Sequence, residues 1–371
     1  MRIVVLAGGT STERDVSISS GLLIAAALRE KGHEVVLLDV FRGYECDICD
    51  VYALFKQNYS FTDFIQVGDT ISDISEVMEQ RRDKSARFLG ENVIDICSYA
   101  DITFLALHGG AGENGQIQAT LDLLGLKYTG SGYLGSALAM NKGITKSVLI
   151  QKHVLTPRGE IFKTAADAQA WTEFPCVVKP CSGGSSVGIT VVENAEEYMG
   201  SVQEAFGYGE NEIVVEEYIK GREFSVGLLG GKALPPIEII PNEGFYDYKT
   251  KYQAGAARDI CPADITAEEN TTLREAAIAT YKALHLESYA RVDFILTDDG
   301  QAYCLEANTL PGMTPTSLLP QEAKVAGISY ADLCELIIDI SMQKYQKKKY
   351  LYDETVYFTG NCRRMRRHVC G

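Results

Sequence analysis

An unbroken apolar run over residues 3–7 ends in Gly8-Gly9, a helical period follows over residues 16–31, Gly32 stops it, and residues 35–40 read as the next strand. Strand, glycine turn, helix and strand predict a Rossmann-like layer. The layer resumes at residues 102–107, a continuous apolar strand that delivers His108 into a glycine-rich turn, and in a helix over 116–124 closed by Gly125. Residues 46–100 show helical periodicity only around 74–87 and carry little recognisable chemistry. From Asn141 a helix runs to about residue 152 before Pro157 breaks the chain. Short strands then follow one another over 176–179, 189–192, 211–219, 224–229 and 234–240, with glycine turns between them. A helix over 273–284, a strand pair within 290–309 and a helix over 330–343 complete the pattern. The predicted class is α/β (α+β), divided as 1–140, 141–219 and 220–343, with a tail over 344–371.

The strand pair carries the most pointed chemistry. Asp299-Gly300 favours a two-residue type I′ turn. With that loop Asp298 pairs with Gln301, and counting back sets Asp293 opposite Glu306 and Arg291 opposite Asn308. Alternation puts all four on one face. Like charges directly opposed destabilise a ladder unless something lies between them, and oxygen ligands on a shared face suit Mg²⁺. A solvated hairpin face is the plainer alternative, and a bulge would break the count.

Composition narrows the classes. At 371 residues the chain can bury two or three domain cores, and 46% hydrophobic with 23% charged residues is ordinary for a globular protein. The net charge of −15 is uneven: residues 344–371 hold eight Lys and Arg against Asp353 and Glu354, leaving −21 on residues 1–343. So acidic a body excludes broad nucleic-acid contact, which needs many Lys and Arg; an anionic substrate must meet a few placed cations. Of ten cysteines only Cys46 and Cys49 form a CxxC, with no second pair, so no structural zinc site is expected. The opening apolar run is short for a signal peptide, and no segment approaches the ~18 apolar residues of a membrane span. A cytoplasmic protein with reduced thiols and no membrane insertion is expected. The basic end reads as a solvated, disordered tail.

Three other stretches carry candidate chemistry. The run from Gly8 to Glu13 lacks the G-x-G-x-x-G spacing of a dinucleotide site, and Glu13 would put a negative charge where a pyrophosphate belongs. Near a helix N-terminus the same carboxylate also complements the dipole. The glycine-serine turn over 182–188 can fold over phosphates with its backbone N–H groups; Lys179 just before it favours that reading over a plain flexible hairpin. Residues 242–257, with Tyr246, Tyr248, Lys249, Lys251 and Tyr252, are long enough for a lid. On spacing alone Glu216 and Glu223 pass as solvated strand-end charges, and a lone histidine such as His108 most often serves its own loop.

Six blocks, in order and spanning residues 1 to about 342, resemble the D-alanine–D-alanine ligases of the ATP-grasp superfamily: GGTSTERDVS at 8–17, HGGAGENG at 108–115, GSSVG at 184–188, FYDYKTKY at 245–252, RVDF at 291–294 and EANTLPGMT at 306–314. The resemblance implies an ATP-grasp fold behind a Rossmann-like N-terminal domain. It implies ligation of two D-alanines through an acyl phosphate for peptidoglycan precursors, with ATP and two Mg²⁺ ions (Mn²⁺ able to substitute), and a homodimer. It assigns Glu13 to the ammonium of the first D-alanine and His108 and Glu113 to the wall of that site. Lys142, Lys179 and Lys251 fall to phosphate oxygens, Ser186 to the nucleotide, Glu216, Glu217, Tyr218 and Ile219 to the adenine connector, and Glu223 to the ribose side. Asp293, Glu306 and Asn308 become metal ligands, Arg291 the oxyanion partner, and Gly312, Ser317 and Leu318 part of the substrate site. Glu13, Ser185 and Tyr252 match a hydrogen-bonded trio that latches the lid. Leu318, aliphatic where D-serine-preferring relatives are polar, and a retained Tyr252 imply D-alanine as second substrate ahead of D-serine and D-lactate. The sequence departs from the family at Asp15, Asn141, residues 180–183 and the tail. A D-serine or D-lactate ligase and a non-catalytic nucleotide-binding module are the alternatives; a full set of metal ligands argues against the module.

Overall fold

The computed structural model describes residues 1–45, 50–61, 74–183, 188–241 and 257–359. The N-terminal part runs β1 (Arg2–Ala7), α1 (Arg14–Glu30), β2 (Glu34–Asp39), α2 (Val51–Lys56), α3 (Ile74–Gln80), α4 (Val93–Ser98), β3 (Ile102–Leu105), α5 (Gly110–Glu113) and α6 (Gln116–Leu123). Its sheet is parallel in the order β2-β1-β3. Residues 3–7 are all apolar because both faces of β1 are covered. The strand end where a dinucleotide would sit is closed from within. Arg14 in the first turn of α1 pairs with Asp39 at the end of β2, both buried, and donates to the carbonyl of Gly9 at 2.8 Å. Asp39 also accepts the N–H groups of Phe41 at 2.9 Å and Arg42 at 3.2 Å. The acid that such proteins offer to a ribose is here held by the chain's own arginine.

Two further sheets follow. Helices α7 (Tyr133–Met140) and α8 (Lys142–Gln151) lead into β4 (Gly159–Phe162), α9 (Ala165–Ala168), β5 (Cys176–Pro180), β6 (Thr190–Val192), α10 (Ala195–Gly207) and β7 (Ile213–Glu217). Asn141 caps α8, accepting the Ile144 N–H at 2.9 Å. These strands form an antiparallel sheet, β4-β7-β5-β6, with its own core around Trp171, Tyr198 and Ile213. Then come β8 (Arg222–Leu229), β9 (Lys232–Ala233), β10 (Ile237–Pro241), β11 (Ala257–Ile260), α12 (Ala267–Ala283), β12 (Tyr289–Leu296) and β13 (Ala302–Asn308). Their order is β11-β10-β8-β12-β13, with β9 on β8. Of the strand expected over 234–240 only residues 237–240 form one, as part of β10, and the two-residue β9 lies just before the expected start. In β8 the alternation is clean: Phe224, Val226 and Leu228 enter the core under α12, which leaves Glu223, Ser225 and Gly227 on the opposite face.

The β12–β13 register is as counted, but not through the turn that was expected. Thr297 N–H donates to the Gln301 carbonyl at 3.0 Å and Leu296 pairs with Ala302, so the loop is the three residues Asp298, Asp299 and Gly300, the last at φ +80°. That turn shifts the pairing by one residue. A bulge then shifts it back: Phe294 faces Cys304 whereas Asp293 faces Glu306 and Arg291 faces Asn308.

The chain closes with α13 (Leu318–Val325) and α14 (Tyr330–Thr359). Leu333, Cys334, Ile337 and Ile338 of α14 join the N-terminal core with β1 and α1. The helix expected over 330–343 runs on to Thr359, into the segment read as a basic tail. The helix is held where it passes the N-terminal layer: Lys344 Nζ donates to the Gly130 carbonyl at 2.8 Å, and the Tyr345 hydroxyl accepts the Tyr128 N–H at 2.9 Å.

Candidate active site

The face of the large sheet turned away from α12 carries Arg291 and Asp293 on β12, Ser225 on β8 and Glu306 and Asn308 on β13. Arg291 binds Asp293 with both arms, Nε to Oδ1 and Nη2 to Oδ2, each 2.9 Å. Ser225 Oγ donates to Oδ1 at 2.7 Å and Asn308 Nδ2 to Oδ2 at 3.2 Å. Arg291 and Asp293 are both buried, and a charge pair out of water holds only when its remaining lone pairs are met in this way. Glu306 stands beside them with Oε2 at 3.4 Å from Lys142 Nζ. That lysine, first residue of α8, also donates to the Gly183 carbonyl at 2.7 Å, at the edge of the glycine-serine turn.

A second charged cluster lies in the smaller sheet. Val177 pairs with Glu216 and Lys179 with Val214, so Lys179 and Glu216 are diagonal neighbours on one face. Glu216, buried, pairs with Lys179 and lies 2.8 Å from Lys146 Nζ. Burial alone would raise the Glu216 carboxyl, but the two ammonium groups outweigh it and hold it below the usual carboxylate range. Glu217 points the other way and accepts the Arg158 N–H at 2.7 Å, while the Tyr218 N–H donates to the Pro175 carbonyl at 3.2 Å.

The N-terminal layer supplies the facing wall. Glu113 at the end of α5 accepts three backbone N–H groups, from Gly109 at 3.1 Å and from Thr309 and Leu310 at 3.2 Å each. It therefore ties the layer to the segment that follows β13. His108 Nδ1 lies 2.9 Å from the Leu310 carbonyl, which can only accept, so Nδ1 carries the proton. Its Nε2 faces Ser20 Oγ at 3.3 Å, and that oxygen accepts the Met313 N–H at 3.3 Å. Glu13 sits over Gly109: a Cβ there would lie 2.8 Å from Glu13 Oε2, and Gly109 has φ +65°, so only glycine fits. One cleft is lined by Glu13, His108 and Glu113 on this side and by Lys142, Arg291 and Glu306 on the other.

Burial, and secondarily the neighbouring Glu13 charge, push Glu113 up to about 7 against the three N–H groups that favour its ionised form. Folded Glu113 thus keeps its proton to higher pH than it does in the unfolded chain. Its favourable contribution to stability is full below the ordinary 4.5 and is lost as pH rises from there to about 7. Glu113→Gln cannot titrate. The gap in melting temperature between the wild type and this variant is expected to shift against the wild type as pH rises through that window. Parallel curves for the two proteins from pH 4 to 8 would remove Glu113 as the titrating group.

The structure brings together Glu13, His108, Glu113, Lys142, Arg291, Asp293, Glu306, Asn308 and Gly312 around that cleft, with Lys179 and Glu216 on the neighbouring sheet. Glu223 lies on the same sheet face as Asp293, two residues from Ser225. Ser317 and Leu318 lie behind the cleft wall, where a Cβ at Gly312 would come within 2.7 Å of Ser317 Oγ. Ser317 Oγ accepts the Thr314 N–H at 3.0 Å, and Leu318 packs on Ile237 and Ile239. Ser185, Ser186, Lys251 and Tyr252, like Cys46, Cys49 and the lid expected over 242–257 except Ala257, lie outside the described residues. Three partners escaped the reading of the sequence: Ser20, Lys146 and Ser225. Lys146 stands one helical turn after Lys142, and Ser225 interrupts the apolar alternation of β8, so both patterns held a signal.

Comparison with known proteins matches residues 2–131 to the D-ala D-ala ligase N-terminus family and residues 145–339 to the D-ala D-ala ligase C-terminus family. The chain is 45% identical to a D-alanine–D-alanine ligase of Pediococcus pentosaceus, over 95% of this chain and 99% of that one. It is 43% identical to one of Lacticaseibacillus casei, over 93% and 97%. Among solved structures it is similar to the D-alanine–D-alanine ligase of Bacillus anthracis complexed with ATP, at 32% identity and TM-score 0.71 over 94% of this chain and 99% of that one. It is also similar to the ligase of Coxiella burnetii, at 25% identity and TM-score 0.74 over 97% and 99%.

Proposed function

This chain belongs to the D-alanine–D-alanine ligase family, ATP-dependent ligases of the ATP-grasp fold, and from that premise we propose how its own residues divide the reaction. The first D-alanine lies against Glu13, His108 and Glu113, with its ammonium at Glu13. Its carboxylate oxygen attacks the γ-phosphorus of ATP, giving an acyl phosphate and ADP. The neutral amine of the second D-alanine then attacks the acyl carbon to form a tetrahedral intermediate, from which inorganic phosphate leaves with the C–O bond pair and, in the overall balance, with the proton the nitrogen gives up. Arg291 faces the oxyanion of that tetrahedral intermediate.

Lys142 and Lys179, with Lys251, bind phosphate oxygens, and Ser186 the nucleotide; charge neutralisation is what such transfer asks of a protein. Glu216 to Ile219 hold the adenine and Glu223 the ribose. Asp293, Glu306 and Asn308 offer oxygen donors on one face beside these lysines, a set whose chemistry fits Mg²⁺ or Mn²⁺. Two such ions would neutralise phosphate oxygens. In the structure the same carboxylates are matched by Arg291 and Lys142. Ser185 and Tyr252 complete, with Glu13, a latch for the lid. Gly312, Ser317 and Leu318 receive the second substrate. A cytoplasmic homodimer supplying peptidoglycan precursors belongs to the same reading; no described helix is long and apolar enough to cross a membrane.

The observation that carries this reading is the single cleft in which the Glu13–His108–Glu113 wall meets Lys142, Arg291 and Glu306. Phosphate release from ATP with D-alanine, D-serine, D-lactate and L-alanine offered separately tests it. D-Alanine is expected to be the best substrate. In mixtures with D-alanine, D-serine should enter the second position slowly, disfavoured by on the order of 10² because an apolar site leaves its hydroxyl unpaired, and D-lactate poorly. A mixed D-alanyl-D-serine product formed as efficiently as the alanine dimer would overturn the second-site assignment. No ATP turnover with any of them would favour the non-catalytic module.

A further inference from the structure

One wholly buried carboxyl stands outside this machinery. Glu322 lies on the second turn of α13, and its Oε1 accepts the Gly227 N–H at 2.9 Å. That N–H would otherwise be orphaned, because the β8–β10 ladder covers only Glu223, Phe224 and Ser225. The Glu322 Oε2 has no hydrogen-bond partner among the described residues. Leaving a buried polar atom unmet costs about 1–3 kcal/mol, so the carboxyl is a poor choice for stability alone. The strand is nevertheless shaped to admit it: a Cβ at Gly227 would lie 2.4 Å from Glu322 Oε2 and 2.6 Å from Leu319 Cδ1.

Gly227 is the residue paired with Arg291 across β8 and β12. Residues directly opposite share a face, so Glu322 meets the sheet in the row and on the face that carry Arg291. Four residues earlier on the same face of α13, Leu318 packs on Ile237 and Ile239 of β10. The helix is therefore fixed to the sheet at two points, one beside Arg291 and one beneath its own N-terminus.

We propose that Glu322 is a positioning residue: by binding the Gly227 N–H beside Arg291, it sets the spacing between Arg291 and the α13 N-terminus at Ser317 and Leu318. The inference rests on the reading that Arg291 faces the oxyanion formed when the second amino acid attacks and that Ser317 and Leu318 receive that amino acid. The nucleotide lysine Lys179 and Glu216 stand on the other sheet, so a change in this spacing reaches the second amino acid and leaves ATP binding alone.

Initial rates over a wide D-alanine range resolve the second-site KM from the first, and an ATP series gives the nucleotide KM. Glu322→Leu removes the acceptor at similar volume. It is expected to raise the second-site KM at least tenfold, with the KM for ATP within twofold of wild type. Glu322→Gln keeps an acceptor for Gly227 and should stay within threefold on both. Gly227→Ala alters the same spacing from the strand side, should reproduce the effect of Glu322→Leu, and replaces it should that variant not fold. A wild-type second-site KM in Glu322→Leu and Gly227→Ala overturns the proposal. So does a loss in Glu322→Gln as large as in Glu322→Leu, or a rise in both KM values together. Arg291→Lys, run alongside, tests the underlying reading. A second-site loss there with wild-type values for Glu322→Leu overturns the positioning role alone, whereas no loss at Arg291→Lys overturns the assignment on which it rests.

Discussion

Glu306→Gln is expected to lower kcat by about 100-fold or more while the fold and its melting curve stay close to wild type. Changes to groups that merely orient a metal ligand already cost about 10–100-fold, and loss of a ligating carboxylate should cost at least as much. Glu306 lies on β13, facing Asp293 across the ladder, and its side chain is 24% exposed at the mouth of the cleft. It supports no core packing, and the amide keeps its volume. What the substitution removes is one negative charge 3.4 Å from Lys142. Two roles for that charge can be separated. A metal ligand would show as a steep rise in the magnesium concentration needed for half-maximal rate, with partial rescue at high magnesium. A mere counter-charge for Lys142 would show as a change in the KM for ATP at unchanged magnesium dependence. Near-wild-type turnover at ordinary magnesium would take Glu306 out of the reaction altogether.

Much of this site was legible in the sequence because it is built from strands, where spacing dictates side. The pairing of Asp293 with Glu306 and of Arg291 with Asn308 follows from counting back from Asp299-Gly300. The count succeeds because two departures cancel. Gly300 closes a three-residue turn, and a bulge below Phe294 returns the lost residue. No local signal distinguishes that pair of errors from a regular hairpin, since either path leads to the same faces. The N-terminal layer was likewise readable, because a parallel strand buried on both sides is a continuous apolar run.

The unread parts are those that topology alone brings together. Glu113 accepts N–H groups from Thr309 and Leu310, and Ser20 accepts one from Met313. These contacts join segments two to three hundred residues apart, and nothing near either residue announces the other. The helical continuation to Thr359 was hidden for a different reason. Its Lys-rich composition suits a solvated tail, but Lys344 and Tyr345 find Gly130 and Tyr128 on the N-terminal layer. Tertiary contacts there outweigh what composition suggests.

Glu216→Leu is expected to destabilise the smaller sheet by about 3–5 kcal/mol, the usual loss when one partner of a buried ion pair is removed. The side chains of Glu216, Lys146 and Lys179 are all less than a tenth exposed, so none can turn to water in place. Without the carboxylate two ammonium groups face one another in an apolar setting, and either charge must be neutralised or the sheet must open. Burial already lowers Lys146, against the Glu216 charge that raises it. Lys146 is therefore the lysine to give up its proton first. Removing it as well should relieve the variant: Glu216→Leu combined with Lys146→Met should be more stable than Glu216→Leu alone, although Lys146→Met by itself is destabilising. The two sites share one network, so their effects should couple by more than 1 kcal/mol in a double-mutant cycle. Because Glu216 is held below its ordinary 4.5 in the folded state, its contribution is present above that pH and is lost as pH falls beneath it. Urea unfolding of the four proteins at pH 7 and pH 4 measures both effects. Comparing Lys146→Met with the double variant leaves out the lysine that titrates, and the stability gap between those two should narrow at the lower pH. Additive losses at pH 7, or a gap that does not change with pH, would mean that the lysines are satisfied by groups other than Glu216.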